Sequence, residues 1–158
     1  MHVEAKKPHL RDYFIAVFLL VLLFWAPLAY HTDFKLPRSE VSIGGTTIAV
    51  ELAENSSERQ KGLSGRSALP EGEGMLLVFD EPDRYGIWMP DMHFPIDVVW
   101  IGADRRIVHI TEGIVPESYP TIFQPDLPAT SILELPAGTV ARYGWRAGDE
   151  VTLTRSTD

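Results

Sequence analysis

The sequence predicts a mainly β domain, a small antiparallel β-sandwich or barrel with one short helix, preceded by a single N-terminal transmembrane helix. Three observations lead to this fold class. Residues 13–30 form one uncharged apolar run. Many short apolar runs follow, separated by Gly and Pro turns, which is typical of antiparallel β domains. One stretch after residue 40 carries the residues that cap a helix.

The apolar run at residues 13–30 is 18 residues long, just above the lower limit of about 17 for a membrane-spanning helix. Residues 1–12 form a basic flank that is expected to stay in the cytoplasm, so the C-terminal domain lies outside it, in the periplasm or the extracellular space. The alternative is a secretory signal that is cleaved to release the protein. Pro27 occupies an unfavourable position for cleavage after Ala29, which favours a single-pass anchor in the cell membrane.

Residues 31–40 are predicted to be a linker, and residues 41–155 the exported β domain. A hairpin is expected from strands at 41–43 and 46–53, because Gly44 and Gly45 suit a two-residue turn that needs positive φ. Asn55 and Glu58 form a capping-box pattern that predicts a helix over residues 56–61, ending at Gly62.

The remainder of the chain is predicted to be mostly strand. Strands are expected at residues 75–79, 85–89, 96–101, 106–110, 130–135 and 151–155. Residues 80–83 are interpreted as a turn, and residues 139–143 as either a strand or a short helix. Residues 112–129 contain four prolines, too many for a central strand, and are expected to form a long ordered loop.

Composition excludes several classes of function. The chain has no cysteine, so disulfides and cysteine metal sites are impossible. From His31 onward there are 11 Lys and Arg residues against 20 Asp and Glu residues, and this acidic balance argues against nucleic-acid binding. No glycine-rich phosphate-binding motif is present. No cofactor is predicted, and the expected partners are the membrane and a small ligand or envelope protein.

A series of short motifs covers almost the whole predicted exported domain, and their order resembles a prokaryotic family known as domain of unknown function 192. These motifs are Glu58-Arg59-Gln-Lys-Gly62-Leu63, Arg66, Gly74-Met75-Leu76-Leu-Val-Phe79, Trp88-Met89, Pro95-Ile96-Asp97-Val98-Val99, Leu133-Glu134-Leu135-Pro-Ala-Gly138 and Gly148-Asp149. The resemblance implies a small, mostly β domain that is often exported or membrane-anchored, with no established activity.

The chain departs from the family pattern in two places. The family usually has Met after Gly-Leu, where this chain has Ser64. The family also tends to follow Trp-Met with Lys-Asn-Thr, where this chain has Pro90-Asp91-Met92-His93. We therefore expect any specificity that is particular to this member to depend on this second segment.

Two acidic residues, Asp97 and Glu134, interrupt apolar patterns on their strands. A buried carboxylate either pairs with a cation or becomes neutral, and Arg59 and Arg66 are the expected partners because a guanidinium group matches a carboxylate bidentately. Three interpretations remain open: a structural ion-pair network, the floor of a ligand pocket, or a carboxylate pair that hydrolyses an envelope glycan or peptide.

The segment around Trp88 supplies the other candidates. Trp88 and Trp100 are expected in the core, although with Tyr85 they could line a binding face. Met89, Met92 and His93 could in principle bind copper, and His109 is a further candidate ligand, but no metal site is predicted. The candidate binding residues are Arg59, Arg66, Trp88, Met89, His93, Asp97 and Glu134. The leading interpretation is a membrane-anchored, outward-facing, non-enzymatic binding or accessory domain.

Overall fold

The computed structural model describes residues 36–155. The predicted transmembrane segment at residues 13–30 lies outside this range. Within the described range, none of the helices has the length and apolar character needed to cross a bilayer.

The described residues form seven strands and two short α-helices. The strands are β1 (Arg38–Ile43), β2 (Thr46–Ala53), β3 (Glu73–Asp83), β4 (Ile96–Ile101), β5 (Ile107–Ile114), β6 (Ala129–Pro136) and β7 (Val151–Arg155). The helices are α1 (Ser56–Lys61) and α2 (Thr139–Tyr143), and a 3-10 turn lies at Pro116–Ser118.

All seven strands belong to one sheet, in the order β5-β4-β6-β3-β2-β1-β7. Its two outer strands approach each other at one end, where Arg106 bridges to Glu150 and the amide of Ile107 donates to the carbonyl of Asp149. The sheet is therefore curled into a half-barrel. At its far edge β1 pairs with β7, with Ser39 opposite Arg155.

Both faces of the sheet are covered, which gives two hydrophobic clusters. The inner cluster fills the half-barrel and includes Ile48, Val99 and Leu133. The outer cluster includes Leu77 and Trp100, and residues from the connections between strands, such as Leu63 and Met89, complete it. Strands β4 and β6 face apolar residues on both sides, which explains why their sequences are almost continuously apolar.

Local sequence signals account for several elements. The capping box is present: the Asn55 side chain accepts a hydrogen bond from the Glu58 amide, and the Glu58 carboxylate accepts one from the Asn55 amide. Helix α1 spans the predicted residues. Gly44 and Gly45 both have positive φ and join the hairpin of β1 and β2 as predicted. Residues 139–143, which the sequence left open, form α2.

Of the two predicted architectures, sandwich and barrel, the single curled sheet agrees with the barrel in part. Other expectations were wrong. The sheet is not entirely antiparallel, because α1 lies on the crossover between β2 and β3 and these two strands pair in parallel. Strand β1 begins at Arg38, inside the predicted linker, since β7 pairs with it from Ser39. Residues 80–83 continue β3 instead of turning. In the predicted strand at residues 85–89, only Ile87 pairs, in an isolated bridge to Phe123.

Candidate functional site

The main candidate site is a cleft of about 200 Å³ on the outer face of the sheet. One wall is α1 with the turn that follows it, and the opposite wall is the connection between β3 and β4. Its lining residues are Arg59, Gln60, Lys61, Gly62, Leu63, Ser64, Leu77, Phe79, Tyr85, Gly86, Ile87, Trp88, Met89, Pro90, Met92, Ile96 and Glu134. Four of the predicted site residues are therefore brought together: Arg59, Trp88, Met89 and Glu134.

Glu134 is the one acidic residue that lines this cleft. The Glu134 side chain projects from β6 to the outer face of the sheet, and its neighbour on β4 is Val98. Only 6% of the residue is exposed to solvent. Its Oε2 atom is buried and has no hydrogen-bond partner. Burial raises the pKa of Glu134 to about 7, although the positive charge of Arg66 acts in the opposite direction. The cleft thus holds a polar atom that nothing in the described part of the chain satisfies.

Arg59 and Arg66 do not form the predicted hydrogen-bonded ion pairs with Asp97 and Glu134. Arg66 donates two hydrogen bonds to the carboxylate of Glu51, at 2.9 and 2.7 Å, and this pairing raises the pKa of Arg66. Arg59 donates to the carbonyls of Glu54 and Val78, and its guanidinium lies 4.9 Å from the centre of the Phe79 ring. Arg59 therefore forms part of the wall of the cleft.

Asp97 is fully buried, and its partners are backbone amides instead of an arginine. One carboxylate oxygen accepts from the Gly113 amide at 2.8 Å, and the other accepts from the Val140 amide at 3.0 Å. Val140 is in the first turn of α2, whose exposed amides and dipole favour a negative group. Asp97 therefore joins β4 to β5 and to α2, which is a structural role.

Asp97 and Glu134 lie on opposite faces of the sheet. In the pairing of β4 with β6, Glu134 is opposite Val98, and Asp97 is opposite Leu135. Since neighbouring side chains on a strand alternate between faces, the two carboxylates cannot flank one substrate bond. This arrangement removes the basis for a hydrolase that uses these two acids as a pair.

Trp88 was expected in the core, but it is 45% exposed. Its ring lies 5.7 Å from that of Tyr119, which is 51% exposed. Trp100, by contrast, is fully buried, and its ring nitrogen donates to the carbonyl of Tyr85. The rim of the cleft therefore carries two neighbouring aromatic rings that are open to solvent.

The side chains that could in principle bind copper have different surroundings. Met89 and Met92 are buried in the outer hydrophobic cluster, whereas the His93 side chain is 55% exposed and outside the cleft lining. His109 lies on β5, 3.9 Å from the carboxylate of Asp126, and its ring packs at 73° to the ring of Trp100 on β4. In residues 36–155, no group of three His, Asp or Glu side chains is placed to hold a metal ion.

The two departures from the family pattern contact each other. The Ser64 hydroxyl donates to the carbonyl of Pro90 at 2.8 Å, and the Gly65 amide donates to the carbonyl of Asp91 at 2.8 Å. Asp91 has a positive φ of 51°, so the turn it forms is tight. Ser64, Pro90 and Met92 all line the cleft, which places this member's distinctive residues on its wall.

Comparison with known proteins agrees with the sequence motifs. Residues 39–153 match the profile of domain of unknown function 192, described as an uncharacterized ACR. The chain belongs to this family. Among curated protein sequences, none matches the chain.

Two solved structures are similar to this family member. One is a Sinorhizobium meliloti protein described as a candidate transcription regulator, with 34% identity, 75% of this chain and 95% of that chain covered, and a TM-score of 0.71. The other is a protein of unknown function from Novosphingobium aromaticivorans, with 33% identity, 77% and 89% coverage, and a TM-score of 0.71.

Sequence reasoning missed part of the site. Leu77 and Phe79 on β3 share the outer face with Glu134, because Met75 pairs with Glu134 and alternate residues face the same side. This relation depends on strand register, which one sequence does not reveal. The sequence did point to Gly62 as the end of α1, and a Cβ at this position would lie 3.6 Å from Oε2 of Glu134.

Proposed function

We propose that this protein is a membrane-anchored, outward-facing binding protein of the cell envelope that holds a small ligand in the cleft, without catalysing a reaction. The observation that carries the proposal is the unpartnered Oε2 atom of Glu134 at the cleft. Most buried polar atoms in folded proteins are hydrogen-bonded, so this exception requires an explanation, and a ligand that bonds to it supplies one.

The energetics favour a binding role over a purely structural one. Leaving a buried polar group without a partner costs about 1–3 kcal/mol, and Glu134 also interrupts an otherwise apolar face. Leu at this position would continue the outer hydrophobic cluster without that cost. A ligand that donates a hydrogen bond to Glu134 in the cleft would recover the lost interaction, and the exposed ring of Trp88 offers it a further contact.

The cellular location is the second part of the proposal, and it rests on the apolar run at residues 13–30 with its basic flank. Fractionation of cells that express the full chain is expected to find it in the membrane, and deletion of residues 13–30 is expected to release it. The N-terminal sequence of the mature protein distinguishes the two alternatives. An intact N-terminus indicates an anchor, and a shortened one indicates a cleaved signal and a secreted protein.

The similarity to a candidate transcription regulator does not extend the proposal to nucleic acid. The formal net charge of this chain is −8, and association with a phosphate backbone requires a basic face. We therefore expect the partner to be a small ligand, or a group presented by an envelope component.

Binding is tested by thermal unfolding of the full chain against a library of small metabolites and envelope fragments. A ligand of the native cleft raises the midpoint of the wild-type protein, and it is expected to have no effect on Glu134→Leu. The control is Tyr143→Ala, which removes an exposed aromatic ring outside the cleft lining. If every stabilising compound acts equally on Glu134→Leu, the cleft is not the binding site.

A further inference from the structure

The cleft continues into an exposed apolar shelf formed by Trp88, Tyr119 and Ile122. Trp88 belongs to both the cleft and the shelf, and its ring lies beside that of Tyr119 with an angle of 43° between the planes. Ile122 packs over the backbone of Gly86, where a Cβ would lie only 2.5 Å from the Ile122 side chain. Grouped exposed apolar residues of this kind mark interaction sites more often than isolated ones.

The charges around the cleft restrict the chemistry of its ligand. Arg59 and Lys61 line it, so a cationic ligand would be repelled by two basic residues. An anionic ligand would be repelled by the carboxyl group of Glu134 when that group is ionised. A neutral molecule with several hydroxyl groups avoids both kinds of repulsion. Its hydroxyl groups can donate to a carboxylate, and they can also accept from a protonated carboxyl group or from Lys61.

The shelf favours a ligand with an extended apolar face. The C–H groups on one side of a pyranose ring pack flat against an aromatic ring, while its hydroxyl groups remain at the edge of the ring. The cleft, at about 200 Å³, is smaller than the clefts of roughly 300–1,000 Å³ that hold drug-sized molecules. It can therefore hold one ring, and the next ring of a chain would lie over Trp88 and Tyr119.

From these features we infer that the ligand is the end of a neutral carbohydrate chain. Its terminal ring donates a hydroxyl hydrogen bond to Glu134, and its second ring stacks on Trp88 with its edge against Tyr119. This inference rests on the proposed function, since it names the ligand class of the same cleft. A free oligosaccharide and a chain attached to an envelope component present the same terminal rings, so the inference covers both sources.

A glycan array probed with the full chain tests this assignment, followed by titration of maltotriose, cellotriose and N,N′,N″-triacetylchitotriose with isothermal titration calorimetry as the readout. At least one neutral glycan is expected to bind. Trp88→Ala is expected to weaken that binding by about tenfold or more. Glu134→Leu should abolish it, whereas Glu134→Gln should retain it, since an amide also donates and accepts. Tyr143→Ala is the matched aromatic control.

The outcomes separate the two proposals. Binding of a free trisaccharide indicates a soluble ligand, and binding only to immobilised chains indicates an attached one. Binding of choline or glycylglycine that depends on Glu134, with no glycan bound, overturns the carbohydrate class but leaves the cleft as a binding site. If glycans bind equally to Trp88→Ala, the placement on the shelf is wrong. If no probe depends on Glu134, both proposals are overturned.

Discussion

Replacing Glu134 with Gln should make the protein more stable at alkaline pH and leave it almost unchanged at acidic pH. The pKa of Glu134 is raised from 4.5 to about 7 in the folded protein. Below pH 4.5 the carboxyl group is neutral in both states and carries no penalty. As the pH rises from 4.5 to 7, the unfolded chain ionises more readily, so folding stability falls. The shift corresponds to about 3 kcal/mol above pH 7, which Glu134→Gln should recover.

The assay is urea unfolding of the full chain at intervals from pH 4.5 to 8.5, with the difference in unfolding free energy between wild type and Glu134→Gln as the measured quantity. Taking the difference cancels the titration of other groups. Glu117→Gln, which removes the charge of an exposed acid, is the control for the loss of one negative charge. A difference that stays constant across this pH range would refute the reasoning, because the Glu134 carboxyl group would then titrate equally in both states.

Three further substitutions test structural roles by the same unfolding measurement. Asp97→Ala leaves two backbone amides without their acceptor and should cost about 2–4 kcal/mol; a cost below about 1 kcal/mol would show that water or other groups replace the carboxylate. Asn55→Ala removes the capping box and should cost about 1 kcal/mol, whereas Ser57→Ala, on the same helix, should cost less. Gly74→Ala places a Cβ 2.9 Å from the carbonyl oxygen of Glu134 and should cost about 1–3 kcal/mol; a neutral effect would mean that β3 and β6 can separate locally.

The sequence predicts those features that depend on neighbouring residues. The α1 helix, with its capping box, and the Gly44-Gly45 turn were confirmed because their hydrogen bonds join residues a few positions apart. Strand β4 was predicted with its observed bounds. All six of its residues are buried, so the strand appears in the sequence as a nearly continuous apolar run. The mainly β class was also confirmed, but the choice between a sandwich and a barrel stayed open, because strand order depends on pairings between distant residues.

The site was predicted only in part, and for the same physical reason. The alternation of Glu134 and Asp97 with apolar residues showed that both would be buried, but only the register of β4 with β6 shows that they face opposite sides. The partners of Asp97 are backbone amides, which every residue except proline offers, so the residue types could not reveal them. The exposure of Trp88 depends on how the connection between β3 and β4 lies over the sheet.

The pairing of Ser39 with Arg155 has a practical consequence for protein engineering. Because β1 and β7 are antiparallel neighbours, the first and last described strands have their outer ends side by side. A short linker could join them, and new termini could be opened at the exposed Gly44-Gly45 turn without breaking any strand. Such a circular permutant should keep the cleft intact. The same geometry would let the domain be inserted as a module into a surface loop of a host protein.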